Sequence, residues 1–339
     1  MNVPLWHESC VIIGKHKDMK KLAKIKEFKT FAQMMEMLPD EESCRNYLEK
    51  LIWNGEPICP HCGSKNKEHY KLKTQGEFKG LYKCKDCRNR FTVTVGSMFE
   101  GSHAPIRKWF IAMFIFCSHK KGISSVQLSK DIGVTQKTAW FMLHRIRHAF
   151  NQPEEKSSGI FQADESFFGG KNKNKHVDKR TEGVQGRSVK DKTPVFGMIR
   201  NGNKVYTEVI PDTKAKTIKP IIEKMVEKGS IVITDEWTAY TGLSSTGISH
   251  TVINHKENEY VRGGFSNNGI ENFWSMLKRG IYGIYHQASP KHLHRYCDEF
   301  AHRYNTRKIK DNERFDLALQ NTGSRLTYKE LTKVNLVNL

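Results

Sequence analysis

The apolar positions keep a helical spacing through the first half of the chain and a strand-like spacing after a polar linker at 153–159. Phe31, Met34, Met35 and Leu38, followed by Tyr47, Leu48, Leu51 and Ile52, predict two short helices broken at Pro39, with Asp40 capping the second ahead of Glu41 and Glu42. The run from Ile106 to Ser118 is apolar enough to be one buried helix. Gly122-Ile-Ser-Ser ends it and starts another, marked by Val126, Leu128 and Ile132. Gly133-Val134 then forms a turn, and Thr135 is placed to cap a helix that runs to Arg147.

Beyond the linker, short β-branched and aromatic runs predict strands at 161–163, 193–199 and 205–210, the last two paired across Asn201-Gly202-Asn203. A helix over 218–226, a strand at 231–234 and a strand at 251–254 follow. The segment from Asn268 carries Ile270, Phe273, Trp274 and Leu277 at i, i+3, i+4 and i+7, one buried helix face. Asn268, Glu271 and Lys278 share an adjoining stripe. A last helix places Leu293, Tyr296, Phe300 and Tyr304 on one face, and Lys291, Arg295, Arg303, Arg307 and Lys308 on the rest.

The order strand, hairpin, helix, strand, helix, strand, helix is that of an RNase H-like fold. The chain is therefore expected to be multidomain α+β, a zinc ribbon and helix-turn-helix followed by an RNase H-like α/β catalytic domain. The expected boundaries are a basic lead-in at 1–30, a helical segment with the ribbon at 31–100, the helix-turn-helix region at 101–152, the catalytic domain at 160–312 and a C-terminal tail at 313–339. A length of 339 residues accommodates these parts.

Charge narrows the partner. The formal net charge is +20, with basic residues spread over several segments, so a long polyanion such as DNA or RNA fits better than a small phosphorylated metabolite. Against that charge, the second helix after Gly133 offers Gln136, Lys137, Arg145 and Arg147 for a DNA groove, and the last helix offers Lys291, Arg295, Arg303 and Arg307. The segment Gly169 to Lys192, with eight Lys or Arg against three Asp or Glu, reads as a loop suited to a phosphate backbone. The apolar run at 109–117 is too short to cross a bilayer, mean hydropathy is −0.62, and no secretory signal is visible, which predicts a cytoplasmic, nucleoid-associated protein with no membrane partner.

Two clusters carry chemistry. Cys59-Pro-His-Cys62 and Cys84-Lys-Asp-Cys87, twenty-one residues apart, match a four-thiolate structural zinc site between the strands of a ribbon at 70–73, 81–83 and 91–95. His61 and His69 lie near, but four cysteines already fill the shell. Cys10, Cys44, Cys117 and Cys297 are isolated and read as packing residues. The other cluster is acidic: Asp164 and Asp235 each end a predicted strand, and Glu271 sits on the helix. Three such carboxylates can hold a pair of Mg²⁺ or Mn²⁺ ions, which stabilise the attacking and leaving oxygens when a phosphodiester is cut or joined. Glu165 and Glu236, beside the aspartates, are rivals for the same role.

Gln162-Ala-Asp-Glu-Ser-Phe-Phe-Gly-Gly170, Thr234-Asp-Glu-Trp-Thr-Ala-Tyr240 and Asn268-Gly-Ile-Glu-Asn-Phe-Trp-Ser-Met-Leu-Lys-Arg-Gly280 resemble the three catalytic blocks of ISXO-like insertion-sequence transposases. The ribbon, Lys137 to Arg147 and Tyr285 to Asn305 are similar too, so the likeness covers roughly Phe31 to Asn312. It implies a DDE-type transposase that binds the ends of its element as double-stranded DNA, frees a 3′-hydroxyl and directs it onto target DNA. It implies Asp164 and Asp235 as metal ligands and at least a dimer on paired ends. The third position is Glu271, with Lys278 seven residues later, or Asn268, since members of the family can place an asparagine there. Lys278 would contact a phosphate. The competing readings are a non-catalytic DNA-binding regulator or domesticated transposase, which three intact acids disfavour, and an RNase H-like nuclease that cuts without joining, which the amino-terminal DNA-reading modules disfavour.

Overall fold

The computed structural model describes residues 28–74, 80–150, 155–170, 176–180, 188–189, 191–200, 204–253 and 266–333. The basic lead-in through residue 27, the turn Asn201-Gly202-Asn203, the end of the fifth expected strand at Asn254 and most of the basic loop between Gly169 and Lys192 lie outside them. The chain divides into two compact units, one of residues 1–119, 124–149 and 309–339, the other of 120–123 and 150–308.

In the first unit, α1 (Phe31–Met37) and α2 (Glu41–Trp53) form where the pattern predicts them. Asp40 closes a capping box on α2: its carboxylate accepts from the Ser43 N–H at 2.8 Å, and the Ser43 hydroxyl accepts from the Asp40 N–H at 3.2 Å. The ribbon strands β1 (Tyr70–Lys71), β2 (Tyr82–Lys83) and β3 (Arg90–Phe91) make an antiparallel sheet in that order. β3 is shorter than the expected run to Val95. Past Phe91 the chain turns instead: Val95 and Ser97 donate to the carbonyls of Thr92 and Thr94, the two threonine hydroxyls bond each other, and Gly96 takes φ +76°.

α3 (Ile106–Ser118) buries Trp109, Phe110, Phe114 and Phe116, and the Glu41 carboxylate accepts from its first two N–H groups, those of Ile106 and Arg107. α4 (Ser125–Ile132) ends at Gly133 in the left-handed conformation, and α5 (Gln136–Ala149) follows after a short turn, with Thr135 accepting from the Thr138 N–H at 3.1 Å. Val126 is exposed while Leu128 and Ile132 are buried. The C-terminal residues are more than a tail. α9 (Asp311–Gln320) packs Phe315 among Phe28, Tyr47, Phe110 and Phe114, and the segment before α10 (Tyr328–Thr332) supplies a carbonyl to Arg145.

The second unit is built on a five-stranded sheet, β4 (Ile160–Phe168), β5 (Thr193–Arg200), β6 (Val205–Val209), β7 (Ile231–Thr234) and β8 (Ser249–Val252). The spatial order is β6-β5-β4-β7-β8, with β6, β5 and β4 antiparallel and β4, β7 and β8 parallel. α6 (Ala215–Met225) packs Ile218 and Ile222 on one face with Phe161, Ala163, Phe196 and Met198. α7 (Asn268–Gly280) and α8 (Pro290–Asn305) cover the other face, where Ile270, Phe273, Trp274, Leu277, Leu293 and Phe300 meet Phe168, Val195 and Ile199. Burial on both faces is why β5 is an almost unbroken apolar run. Between β7 and β8 two short 3₁₀ turns, Thr238–Tyr240 and Leu243–Thr246, replace the expected helix. Gly242 and Gly247 both take positive φ, and the Ser245 and Thr246 hydroxyls bond the carbonyls of Gly242 and Leu243, all of which favour tight turns over a continued helix.

Candidate active site and metal centres

β-sheet register brings the two aspartates together. Gln162 of β4 lies opposite Ile233 of β7 in parallel pairing, and continuing that register brings Asp164 level with Asp235, the residue just past the end of β7, whose charge Asp164 feels. Alternation along β4 points Gln162 and Asp164 to the face covered by α7, while Glu165 points to the other, where it accepts from the buried Tyr240 hydroxyl. Asp235 is fixed by its own turn, its Oδ1 accepting from the Trp237 N–H at 3.0 Å.

The helix is fastened to β4 at two points. The Gln162 side chain accepts from the Ile270 N–H at 3.1 Å, and the Trp274 indole N–H donates to Asp164 Oδ2 at 3.1 Å. Both contacts depend on missing side chains. A Cβ on Gly269 would stand 2.5 Å from Gln162 Oε1, and one on Gly197, which pairs with Asp164 across β4 and β5, would overlap the Trp274 ring. Glu271 is thereby held one helical turn before Trp274, in the first turn of α7, where the helix dipole favours a carboxylate, and Lys278 and Arg279 lie in the last turn.

The carboxyl of Asp164 is pushed up to about 7, first by burial, then by the charge of Asp235 and, less, that of Glu271; the backbone N–H at Glu165 and the Trp274 indole offset part of this. Crowded negative charge of this kind is what bound cations relieve. Hard oxygen donors suit a divalent ion such as Mg²⁺ or Mn²⁺. Asn268 and Glu271 are both exposed on α7, and Lys278 is half-buried and engaged with other groups.

The ribbon holds the other centre. Sγ atoms of Cys59, Cys62, Cys84 and Cys87 all lie within 4.8 Å of one another, the only such group of potential ligands among the described residues. Cys59 and Cys87 are 3.6 Å apart and Cys62 and Cys84 3.7 Å, close to the edge of about 3.8 Å expected of a tetrahedron with Zn–S bonds of about 2.3 Å. Each knuckle closes with a left-handed residue just after its second cysteine, Gly63 at φ +71° and Arg88 at φ +61°. Asp86, inside the second knuckle, accepts from Ser64 and from the Asn66 amide beside the first. His61 bonds the Arg90 carbonyl and His69 the Ser64 carbonyl, so neither is drawn into the shell. Cys44, Cys117 and Cys297 are buried.

Several arginines expected to meet DNA are structural. Arg145 is 3% exposed and donates to the carbonyls of Leu326 and Met98, and Arg147 is 1% exposed on the same helix, which is buried all round from Met142 to Arg147. Arg303 is buried in an ion pair with Glu299 at 2.7 Å, which also accepts from Tyr285. For Arg145 and Arg303 the cause is the same: a long basic side chain on a helix face adjoining the core is pulled in where a carbonyl or carboxylate waits there. Arg295 is half-buried beside Asp298. Gln136, Lys137, Lys291 and Arg307 are exposed, with Lys137 over the Tyr328 ring and Arg307 stacked on Tyr304 at 3.9 Å.

Sequence reasoning missed Gln162, Gly197 and Trp274 as parts of the site. For Gln162 a signal existed: a polar residue at i−2 from Asp164 shares its face of the strand. No helix among the described residues is long and apolar enough to cross a membrane.

Comparison with known proteins adds family context. A family model described as the ISXO2-like transposase domain matches residues 156–305, and one described as the transposase zinc-ribbon domain matches 39–90. The chain is 28% identical over 253 residues to a protein of Halobacterium salinarum named as an uncharacterized protein in transposable element ISH50, covering 71% of this chain and 83% of that one. It is 36% identical over 113 residues to an uncharacterized transposase-like protein of Haemophilus influenzae, covering 32% and 85%. Among solved structures, the Mos1 transposase paired-end complex with left transposon end aligns at 14% identity and a TM-score of 0.27, covering 67% of this chain and 82% of that one.

Proposed function

The chain belongs to the ISXO2-like transposase family of insertion sequences, and from that premise we propose that Asp164, Asp235 and Glu271 form a DDE-type centre for DNA strand cleavage and strand transfer. The observation that carries the reading is the register that sets Asp164 and Asp235 abreast beneath a helix tied down through Gln162 and Trp274. Three antiparallel and two added parallel strands support an RNase H-like domain around it.

In cleavage, a water oxygen bonds to phosphorus, the bond to the 3′-oxygen breaks, and the leaving oxygen takes a proton. In transfer, that 3′-hydroxyl bonds to a phosphorus of target DNA and displaces a 3′-oxygen there. Divalent cations held by the three acids, Mg²⁺ or Mn²⁺, would supply charge stabilisation for both oxygens. The chain's own contribution is to hold the carboxylates rigid. Trp274 orients Asp164, the Asp235 turn fixes the second acid, and the helix tie fixes Glu271, with Asn268 exposed one turn earlier as the family's substitute. The cysteine set is read as a structural zinc site in the ribbon.

DNA is the polyanion matched to a net charge of +20. The α4–α5 pair is read as the helix-turn-helix, with Gln136 and Lys137 toward the groove, and Lys291 and Arg307 as phosphate contacts on the catalytic unit. Joining two element ends requires two centres, hence a homo-oligomer on DNA.

The test separates binding from chemistry. Asp235→Ala should bind an element-end duplex like the wild type and fail to nick it in Mg²⁺. Continued nicking would remove the proposed centre. Given a duplex with a pre-cut 3′-hydroxyl and a plasmid target, the wild type should yield joined product; nicking without joining would favour a nuclease.

A further inference from the structure

Trp237 is 43% exposed, two residues past Asp235, and yet it is not loose. Its backbone N–H donates to Asp235 Oδ1 at 3.0 Å, and its indole N–H donates to the Thr213 carbonyl at 3.2 Å. The residue's polar atoms are thus satisfied within the protein, and what it offers outward is apolar ring. The turn that follows is anchored by Tyr240, which is fully buried and bonded to Glu165. Swinging the ring away would break the indole bond to Thr213, while the backbone bond to Asp235 holds the residue at its place beside the site. A rigid, outward-facing indole beside a phosphodiester-cutting centre does nothing for the core, since large apolar groups are stabilising only where they are covered.

We propose that Trp237 is a base-stacking platform, on which a nucleobase next to the scissile phosphate lies once it leaves the helical stack. The proposal rests on the reading of Asp164, Asp235 and Glu271 as the cleavage centre and adds to it the part that grips the nucleoside. Carboxylates and their cations engage phosphate oxygens and give no purchase on a base. In-line attack at phosphorus needs the strand held in one orientation, and an aromatic face supplies that hold for any base, because every base has a π-face. A pinned ring does so at little entropic cost on binding.

Cleavage of an element-end duplex in Mg²⁺ tests this with Trp237→Leu, which keeps apolar bulk, and Trp237→Phe, which keeps an aromatic face but loses the bond to Thr213. The expected result is a roughly tenfold or larger loss for Trp237→Leu and recovery of most activity in Trp237→Phe. An abasic nucleotide at one position flanking the cut should slow the wild type by a similar factor and slow Trp237→Leu no further. Wild-type cleavage by Trp237→Leu, equal loss in both variants, or abasic losses that simply multiply at every flanking position would each overturn the proposal. Circular dichroism melting confirms that the variants fold. Asp235→Ala on the same duplex keeps the two ideas apart: if it cuts, the centre itself is wrong, and if it does not while Trp237→Leu cuts normally, only the stacking is wrong.

Discussion

The ribbon and the carboxylate centre solve opposite problems with ligands of opposite kinds. The four thiols come from two short knuckles, each with both ligands three residues apart, and local turns at Gly63 and Arg88 close them around one point. The three acids come from the middle of β4, the end of β7 and the start of α7, and only the sheet register and the helix packing bring them near each other. Among the described residues, the thiols meet within 4.8 Å and the acids do not. A closed soft-donor set fits an ion that stays; an open hard-donor set fits ions that must also meet a substrate.

Metal removal should separate the two most widely. Stripping zinc with a strong chelator should unfold the ribbon, because structural zinc sites contribute on the order of 10 kcal/mol to folding; loss of ribbon chemical shifts with the catalytic unit's signals intact is the expected spectrum. Equal resistance of both regions would erase the distinction. Cleavage should be lost by roughly a thousandfold or more in Asp235→Ala, with the fold retained, since cation stabilisation is worth several kcal/mol at the transition state while the acid is tied to the fold by one turn hydrogen bond from the Trp237 N–H. A variant that unfolds instead would make this acid structural, like the cysteines.

Gly197→Val probes the packing that the acids depend on and the thiols do not. A side chain under Trp274 should cost about 1–3 kcal/mol by overpacking, lower the melting temperature and depress cleavage beyond that loss, because Trp274 would release Asp164. Ribbon zinc affinity should not move. The effect furthest from cleavage concerns a carboxyl of the same unit with no part in the centre. Burial raises Asp298 to about 7, with Arg295 offsetting part of the rise. The native state therefore holds this proton more tightly than the unfolded chain. Its stabilisation is complete below about pH 4 and lost as pH rises through about 7, at up to about 1.4 kcal/mol per pH unit between. Urea unfolding of Asp298→Asn should lack that slope, and an unchanged slope would assign it to other groups.

Much of this was legible along the chain. Two Cys-x-x-Cys pairs define the ribbon because both ligands of a knuckle are sequence neighbours. Ile270, Phe273, Trp274 and Leu277 mark the buried face of α7, and Asp40 and Thr135 mark helix starts, because capping and helical periodicity are local properties. Asp235 was identifiable as a strand-end residue and Glu271 as a helix residue for the same reason, whereas Asp164, expected to end its strand, lies in the middle of β4 because that strand runs on to Phe168.

What only the tertiary structure decided is everything set by a partner far away in sequence. Arg145, Arg147 and Arg303 carry the same charge as Lys137 and Arg307, and nothing local says that the first three are buried, Arg145 against carbonyls of Leu326 and Met98 and Arg303 against the Glu299 carboxylate. Gly197 looks like any strand glycine until Trp274 lies across it. The sequence determined which side chains exist on which stripe or strand. Packing and register determined which of them face water, which face each other, and so which are free to do chemistry, because those outcomes depend on distances that no local pattern encodes.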